Sequence, residues 1–327
     1  CGLPVGNMKE RNGKTRMTGN TRDPRKTFGV AVSEIAENRE EIVILSADSG
    51  KSSGFKEFSQ KHPDRYFEFG IMEQGVTGIA SGLATTGKIP VFCAIAPFVT
   101  CRNYEMFRND LGYMRQNVKI VGRNGGFTYS DLGATHHSLE DFAITRMIPG
   151  TVVLAPQDPG EIRGAVKAML EHKGPVYMRI GNQPVEELWE ERPFRIGEGR
   201  ILREGTDLAL ISTGTITANV LKAACELEKR GRSVMVIGMP TVEPVDQAVI
   251  KEAAEKTGRI MTVEEHYREG GLGTAVAEAC SQVCPVPVKR HGIPREYATS
   301  GSYEELLAYY RLDTDGIVQE AEAFLNS

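Results

Sequence analysis

The spacing of apolar and polar residues along the first half of the chain predicts alternating strands and helices. A continuous apolar run, typical of parallel strands covered on both faces, predicts a strand at 41–47, and further strands are predicted at 89–96, 118–121, 151–154 and 175–180. Between them, apolar residues recur at helical spacing, as they do at Val76, Ile79, Ala80, Leu83 and Ala84. This alternation predicts an α/β domain with a doubly wound, mainly parallel sheet.

A second series of strands and helices begins at residue 207. Strands are predicted at 207–212, 233–237, 259–264 and 286–289, and helices at 216–230, 246–256 and 272–283. Residues 181–206 carry turn signals without a long apolar period. We therefore predict two doubly wound domains with mainly parallel sheets, divided into an extended N-terminal arm at 1–22, a first domain at 23–190, a linker at 191–206 and a smaller second domain at 207–327.

The stretch from Tyr66 to Ala84 combines a short strand, a helix and an acid between them. Glu73 lies where the strand ends and the helix begins, a position at which α/β proteins expose functional groups. An acid there also complements the helix dipole, so the residues alone leave both readings open. Three glycines on this helix each cost about 1 kcal/mol relative to alanine, so we expect the helix face from Gly75 to Ala84 to pack at a subunit interface.

Composition narrows the class of protein. A net charge of −4 argues against a nucleic-acid binder, and no apolar run reaches the roughly 20 residues that a membrane helix needs. The six cysteines have no zinc-binding spacing and are expected to be free thiols. We therefore expect a cytoplasmic enzyme or enzyme subunit without a nucleic-acid or membrane partner.

Polar loops follow several of the predicted strands and carry the candidate chemistry. The Gly50-Lys51-Ser52 triplet lacks the full P-loop pattern, although a phosphate contact by Ser52 stays open. A long loop at 122–137 ends in two adjacent histidines, His136 and His137, which favours ligand binding. The helix beginning near Arg25 has a cationic start that opposes its dipole, and a bound anion would remove that conflict.

Four motifs in this order resemble the C-terminal half of transketolases over residues 22–327. They are F-G-I-M-E-Q-G-V-T-G-I-A-S-G-L-A, G-A-T-H-H-S-L-E-D, P-Q-D-P-G-E, and V-E-E-H with the following G-G-L-G. The resemblance implies a pyrimidine-binding domain, a C-terminal domain and the cofactor thiamine diphosphate. The family's G-D-G motif with paired asparagines, which holds the diphosphate through a divalent metal, is absent here. The resemblance therefore implies one subunit of a split transketolase.

The same resemblance implies what the partner contributes. A diphosphate-binding N-terminal transketolase subunit would hold the divalent metal, Mg²⁺ or Ca²⁺, and the substrates would be sugars or sugar phosphates. The assembly implied is a heterotetramer built around a dimer, active only when both subunits are present. We expect the arm at 1–22 to wrap around this partner.

The resemblance also assigns roles to individual residues. Glu73 matches the glutamate that binds the cofactor's pyrimidine ring nitrogen and favours its reactive tautomer. His136 matches a loop histidine that contacts substrate oxygens and assists proton movement. The positions near the cofactor are matched by Asp48, Phe98, Cys101 and Tyr104, the last three predicted on one helix face. Those near the sugar and its phosphate are matched by Arg25, Ser52, Asn124 and Arg179.

Three positions depart from the family pattern. Cys101 replaces a stacking phenylalanine, which weakens stacking on the pyrimidine. Asn124 replaces a histidine on the phosphate side of the site. Leu132 replaces an aspartate that recognises a hydroxyl group of the donor sugar, although Asp131 is adjacent. These departures leave the donor sugar and the nature of its anionic group open.

Two other functions remain as alternatives. The beta subunit of a 2-oxo acid dehydrogenase, or a deoxyxylulose-phosphate-synthase-like enzyme, shares the two-domain plan and the glutamate. A non-catalytic assembly subunit would keep the fold while another chain performs the chemistry. Glu73 separates this last alternative from an enzyme, because a scaffold has no need of a carboxylate at that strand end.

Overall fold

The N-terminal region of the computed structural model is described only in part. The structure describes residues 9–10, 13–14, 20–189 and 193–327, with side chains for the last two ranges. The strands β1 (Lys9–Glu10) and β2 (Gly13–Lys14) pair with each other, and β3 (Thr21–Arg22) pairs antiparallel with β10 (Val185–Glu186). Most of the predicted arm lies outside the described residues, so its contact with a partner stays a prediction.

The first sheet has seven strands and forms the centre of the first domain. They are β4 (Ile42–Ser46), β5 (Tyr66–Glu68), β6 (Ile89–Ile95), β7 (Lys119–Arg123), β8 (Val152–Leu154), β9 (Val176–Arg179) and β14 (Thr241–Glu243), in the order β14-β8-β9-β7-β6-β4-β5. All neighbours run parallel except β14, which is antiparallel to β8. Because β14 comes from the second half of the chain, the two sheets do not divide at one point in the sequence.

Helices cover both faces of this sheet. They are α1 (Pro24–Ala36), α2 (Lys56–Lys61), α3 (Glu73–Thr85), α4 (Ala96–Val99), α5 (Tyr104–Met106), α6 (Asp141–Arg146) and α7 (Pro159–Glu171). A π-helical segment at Phe107–Tyr113 continues α5, and a 3₁₀ segment spans Ser130–Thr135. Every residue of β4 is buried, as its apolar run predicted, and every residue of β7 is buried as well, including the charged Lys119 and Arg123.

The prediction of one helix face for Phe98, Cys101 and Tyr104 is wrong. Helix α4 ends at Val99, and α5 begins only at Tyr104. In the turn between them, the buried Asn103 donates a hydrogen bond from Nδ2 to Thr77 Oγ1 at 2.6 Å. Asparagine favours turns over helix interiors because its side chain makes such alternative hydrogen bonds, and this anchor places Cys101 on an exposed turn.

The second sheet has five strands in the order β11-β13-β12-β15-β16. They are β11 (Arg200–Arg203), β12 (Leu208–Ser212), β13 (Val234–Gly238), β15 (Ile260–Tyr267) and β16 (Val288–Ile293), packed with α8 (Thr217–Lys229), α9 (Gln247–Thr257), α10 (Leu272–Val283), α11 (Tyr303–Tyr309) and α12 (Thr314–Leu325). All pairs are parallel except the one between β11 and β13. The predicted fold class, two α/β domains with mainly parallel sheets, is confirmed.

One strand falls inside the predicted linker at 191–206. Strand β11 forms the antiparallel edge of the second sheet, and only one of its four residues is buried. So short and polar an edge strand gives no apolar signal in the sequence. The domain boundaries at 190 and 206 stay predictions.

Two smaller predictions concern cysteines and membrane spans. Five cysteines in the described part of the chain are free thiols, namely Cys93, Cys101, Cys225, Cys280 and Cys284. Among the helices of residues 20–189 and 193–327, none combines the length and apolar character that crossing a bilayer requires.

Candidate functional site

Glu73 lies at the carboxyl edge of the first sheet. Strand β5 runs parallel to β4 and ends at Glu68, and α3 begins five residues later with Glu73 in its first turn. The Glu73 side chain is only 4% exposed, and its Oε2 accepts a hydrogen bond from Arg102 Nη1 at 2.9 Å. A buried carboxyl group therefore stands at the strand end, as predicted, with a cation as its partner.

Arg102 links Glu73 to two other predicted site residues. Its guanidinium carbon lies 3.9 Å from the centroid of the Phe98 ring, a cation–π contact. The Phe98 ring in turn lies 5.3 Å from the His136 ring at an interplanar angle of 65°. The structure thus brings Glu73, Phe98 and His136 together around Arg102, and we call these four residues the Glu73 cluster.

His136 is half-buried in the loop that follows β7. Its Nδ1 lies 2.9 Å from Thr135 Oγ1, and its ring contacts Tyr129 edge-on at 5.5 Å. Burial lowers the pKa of His136, and the charge of Arg102 lowers it further. The imidazole is therefore neutral at pH 7, which leaves a ring nitrogen able to accept a proton or a hydrogen bond.

Cys101 and Tyr104 lie on either side of the turn after α4. Cys101 Sγ donates a hydrogen bond to Glu140 Oε1 at 3.4 Å. Loss of hydration around the sulfur and the Glu140 charge raise the pKa of Cys101 to about 12, so the residue is a thiol at neutral pH. Tyr104 is partly buried against the core of the first domain.

Asp48 begins the loop after β4 in a left-handed conformation, with φ of 53°. Its backbone N–H donates to Glu68 Oε1 at 2.7 Å, and Gly70 N–H donates to the same oxygen at 3.1 Å. Burial alone would raise the pKa of Glu68, but these hydrogen bonds and one from Ser46 lower it overall. Glu68 thereby ties together the loops that carry Asp48 and Glu73.

Arg25 and Ser52 approach the same edge of the sheet from α1 and the β4 loop. A Cβ added to Gly29 of α1 would lie 2.6 Å from the backbone of Gly54, so glycine is required for this contact. Ser52 is exposed. Arg25 donates to both carboxylate oxygens of Asp23, at 3.1 and 2.9 Å. Asp23, the N-cap of α1, therefore relieves the cationic helix start without any bound anion.

Asn124 follows the last residue of β7, Arg123, and both are buried at 1% and 5% exposure. Asn124 has a left-handed backbone with φ of 62°. Arg123 Nη1 donates to Asn124 Oδ1 at 3.1 Å, whereas Arg123 Nε and Asn124 Nδ2 have no hydrogen-bond partner among the described residues. Two buried donor groups thus remain uncommitted at this strand end.

Arg179 is committed to contacts within the chain. It is 8% exposed, and its guanidinium donates to Asp141 Oδ1 at 3.3 Å and to the backbone oxygen of Glu265 at 2.6 Å. It also lies 4.6 Å from the centroid of the Phe142 ring. The structure therefore places Arg179 between the first sheet and β15, and its role as a substrate ligand stays a prediction.

Sequence reasoning missed Arg102 and Arg123. Both are arginines directly beside predicted site residues, Cys101 and Asn124. The carboxylate partner of Arg102 is 29 positions away, and the hydrogen bond from Arg123 goes to the adjacent Asn124, so local spacing gives no signal for either. For both arginines, the available indication in the sequence is that each stands next to a predicted site residue.

The fold is that of a two-domain α/β protein, and the predicted site residues Glu73, Phe98 and His136 come together at the carboxyl edge of its first sheet. Family models for "Transketolase, pyrimidine binding domain" and "Transketolase, C-terminal domain" match residues 20–186 and 197–317. The chain belongs to the transketolase family, which confirms the resemblance inferred from the sequence. The family uses thiamine diphosphate, and its activity is of the transketolase type.

Individual relatives match nearly the whole chain. A subunit of the apulose-4-phosphate transketolase of Phocaeicola vulgatus is 40% identical over 92% of this chain and 97% of its own length. The 6-deoxy-6-sulfo-D-fructose transketolase subunit SqwH of a Clostridium species is 36% identical over 91% of this chain and 92% of its own. A solved split-gene transketolase, an inactive β4 tetramer, has a TM-score of 0.87 at 36% identity, covering 93% of this chain and 98% of that one.

The Glu73 cluster fits the pyrimidine end of the family's cofactor. It offers a buried carboxyl group beside a partly exposed aromatic ring. The face of Phe98 is covered by Arg102, whose side chain is 40% exposed and long enough to move aside. Within residues 20–189 and 193–327, no group of three or more histidine, cysteine, aspartate or glutamate side chains is placed to hold a metal ion.

Proposed function

We propose that this chain is the pyrimidine-binding component of a two-component, thiamine-diphosphate-dependent transketolase. It would transfer a two-carbon ketol unit from a ketose or ketose phosphate to an aldose or aldose phosphate. The Glu73 cluster carries this proposal, because it joins a buried carboxyl, an aromatic ring and a neutral histidine at one sheet edge. Two relatives that match almost end to end bear the names of transketolase subunits.

Each member of the Glu73 cluster has a distinct task in this proposal. When bound, thiamine diphosphate supplies a carbon nucleophile and an electron sink for cleaving the ketose carbon–carbon bond. Glu73 would hold a hydrogen bond to the pyrimidine ring nitrogen, while Arg102 binds its Oε2. Phe98 offers an apolar face, and His136 accepts a proton or hydrogen bond from a substrate hydroxyl.

A partner subunit would complete the site. The diphosphate and its divalent metal, Mg²⁺ or Ca²⁺, would be held by an N-terminal transketolase subunit in a heterotetramer built around a dimer. Two apolar side chains directly before Glu73 support such a contact, since Ile71 is 74% and Met72 44% exposed. A Cβ added at Gly82 on α3 would meet nothing within 4 Å, so this position is open to another chain, whereas Val76 and Ala80 of the same helix are buried in the core of the first domain.

The role of Glu73 is tested with the Glu73→Gln variant in the complex with the partner subunit. Glutamine keeps the shape of the side chain but cannot donate the acid proton, so we expect turnover to fall by about 10²–10⁴-fold. Size-exclusion chromatography should show unchanged heteromer assembly. Glu57→Gln is the matched control, because Glu57 is an exposed acid in the first turn of α2. Undiminished turnover in Glu73→Gln would remove Glu73 from the mechanism and favour an assembly subunit.

The reaction class is tested with the unmodified complex. A transketolase releases an aldose from a ketose and makes a new ketose only when an acceptor aldose is present. Decarboxylation of a 2-oxo acid without aldose-dependent transfer would instead favour the beta subunit of a 2-oxo acid dehydrogenase. Decarboxylation with transfer of the remaining fragment to an aldose phosphate would favour a deoxyxylulose-phosphate-synthase-like enzyme. Product analysis by chromatography separates these outcomes.

A further inference from the structure

Arg123 is a buried cation with no counter-charge among the residues that the structure describes. Its side chain lies at the carboxyl end of β7, and its one hydrogen bond goes to the neutral amide oxygen of Asn124 at 3.1 Å. Among residues 20–189 and 193–327, no carboxylate forms an ion pair with it, and its Nε is unpartnered. A buried charge without a partner is costly, so an anion from outside this part of the chain would stabilise this site.

The groups that face Arg123 do not supply that anion. Burial lowers the pKa of Arg123, and the charge of Arg25 at the start of α1 lowers it further. The nearby Cys93 thiol has its own pKa raised to about 11 by burial, so it is neutral at pH 7. The other facing group is the phenol of Tyr129. The charge of Arg25 is paired with the Asp23 carboxylate, so Arg123 carries the unpaired positive charge in this region.

Other buried cations of the same domain are satisfied. Lys119 begins the same strand, is fully buried and donates to three oxygens, those of Asn117, His172 and Gly174, at 2.7–2.8 Å. Arg65 donates to the backbone oxygens of Ala36 and Arg39 at 2.9 and 3.2 Å. These contacts are typical of structural cations. Arg123 is also buried, but its Nε has no acceptor among the described residues and its Nη1 has one, Asn124 Oδ1.

Asn124 adds a second uncommitted donor beside Arg123. Its Nδ2 is buried and without a partner among the described residues, whereas its Oδ1 already accepts from Arg123. The amide is thus oriented with its donor end free. A guanidinium nitrogen and an amide nitrogen suit the oxygens of a tetrahedral anion, and arginine binds such groups with a planar fork.

We propose that Arg123 binds the terminal tetrahedral oxyanion of the sugar substrate, together with Asn124 and beside Arg25, and determines specificity for an anionic sugar. The proposal rests on the proposed function and extends it by naming the residue that recognises the negative charge of the substrate. Phosphate and sulfonate groups are both tetrahedral oxyanions, so the experiments use a probe for each.

The first test measures anion binding to the full chain. Thermal unfolding is followed in increasing inorganic phosphate, in methanesulfonate and in chloride at matched ionic strength. We expect phosphate or methanesulfonate to raise Tm of the wild type beyond chloride, because a ligand of the native state stabilises it. Arg123→Met should lose this concentration dependence, and Arg123→Lys should keep part of it. Arg39→Met is the matched control, because Arg39 pairs with Glu41 at the opposite end of β4.

The outcomes of this test separate a binding role from a structural one. In chloride, Arg123→Met should have the Tm of the wild type or a higher one, because the uncompensated buried charge is gone. No anion-specific rise in the wild type, or the same rise in Arg123→Met, would overturn the proposal. A larger rise with methanesulfonate than with phosphate identifies a sulfonate, and the reverse identifies a phosphate.

The second test uses the complex with the partner subunit. KM is measured for a ketose phosphate and for the same ketose without its phosphate. We expect Arg123→Met to raise KM for the phosphorylated sugar by about 10- to 100-fold, with less than a threefold change for the neutral sugar. Equal changes for both sugars would indicate a structural role and overturn the proposal. If no variant of the complex transfers a ketol unit, the proposed function fails, while the thermal test still decides the anion site.

Discussion

Arg123 and Arg179 end neighbouring strands of the same sheet, yet their surroundings differ. Both are buried, at 5% and 8% exposure. Arg179 contacts a carboxylate, a backbone oxygen and an aromatic ring. Among the described residues, the hydrogen bond of the Arg123 side chain goes to a neutral amide oxygen. Burial alone therefore does not distinguish a structural cation from one available to a ligand. The number and charge of the acceptors around each cation do distinguish them.

The surroundings of Arg179 form a junction between the two domains. We call Asp141, Arg179, Glu264, Glu265 and His266 the junction cluster. Glu265 accepts hydrogen bonds from Phe127 N–H and from Tyr303 Oη. The Phe127 ring belongs to the core of the second domain, although it lies in a loop of the first. The charges in this region serve to hold the domains together, in contrast to the uncompensated charge at Arg123.

The largest expected effect comes from removing Arg179. Arg179→Met leaves Asp141, which is 0% exposed, without its ion-pair partner. Breaking a buried ion pair in this way lowers the free energy of unfolding by about 3–5 kcal/mol. The matched Arg123→Met variant should lose no stability, because it removes an uncompensated buried charge and leaves no buried carboxylate behind. Urea unfolding of both variants measures the difference.

Equal losses in Arg179→Met and Arg123→Met would break the comparison between the two arginines. The double variant Asp141→Asn/Arg179→Met serves as the control, because it removes both charges together. It should recover part of the stability lost in Arg179→Met.

The elements of the fold were predictable because their signals are local. The residue patterns at 41–47 and 118–121 predicted β4 and β7. The position of an acid between a strand and a helix indicated Glu73. The turn between β15 and α10 is likewise local, since Glu264 accepts hydrogen bonds from the N–H groups of Leu272 and Gly273, both at 2.7 Å. Each of these features depends on residues that are close in sequence.

The parts that could not be predicted depend on contacts between distant residues. Arg102 lies 29 positions from Glu73, and Arg179 lies 86 positions from Glu265. No local periodicity encodes such pairs. For the same reason, the family pattern named Arg179 as a substrate ligand while giving no indication of its partners in this chain.

A smaller effect is expected from Tyr303, which supports the junction cluster from α11. Its Oη donates to Glu265 Oε2 at 2.9 Å. Tyr303→Phe removes this hydrogen bond to a buried carboxyl group and should lower the free energy of unfolding by about 1.5–3 kcal/mol. Tyr309→Phe is the matched control, because Tyr309 is 71% exposed on the same helix and should change stability by less than about 0.5 kcal/mol. Urea unfolding compares the two, and equal losses would contradict a role of Glu265 in the junction.

The smallest expected effect is a pH dependence in which two members of the junction cluster act in opposite directions. Burial lowers the pKa of His266 from 6.5 to about 4, so the unfolded chain binds the proton first and stability falls as pH drops from 6.5 to 4. Burial raises the pKa of Glu264 from 4.5 to about 7, so the folded chain retains a proton and stability falls as pH rises from 4.5 to 7. Between pH 4.5 and 6.5 the two slopes offset each other.

Single variants should separate these slopes. His266→Gln leaves the contribution of Glu264, so its stability should decrease from pH 4.5 to 7. Glu264→Gln leaves that of His266, so its stability should increase from pH 4 to 6.5. Each slope is at most about 1.4 kcal/mol per pH unit, the value for one proton, and urea unfolding at several pH values measures it. Slopes of the same sign in the two variants would contradict the assignment. Arg123→Met, outside the junction cluster, should keep the wild-type profile, because the charge at Arg123 is uncoupled from the junction.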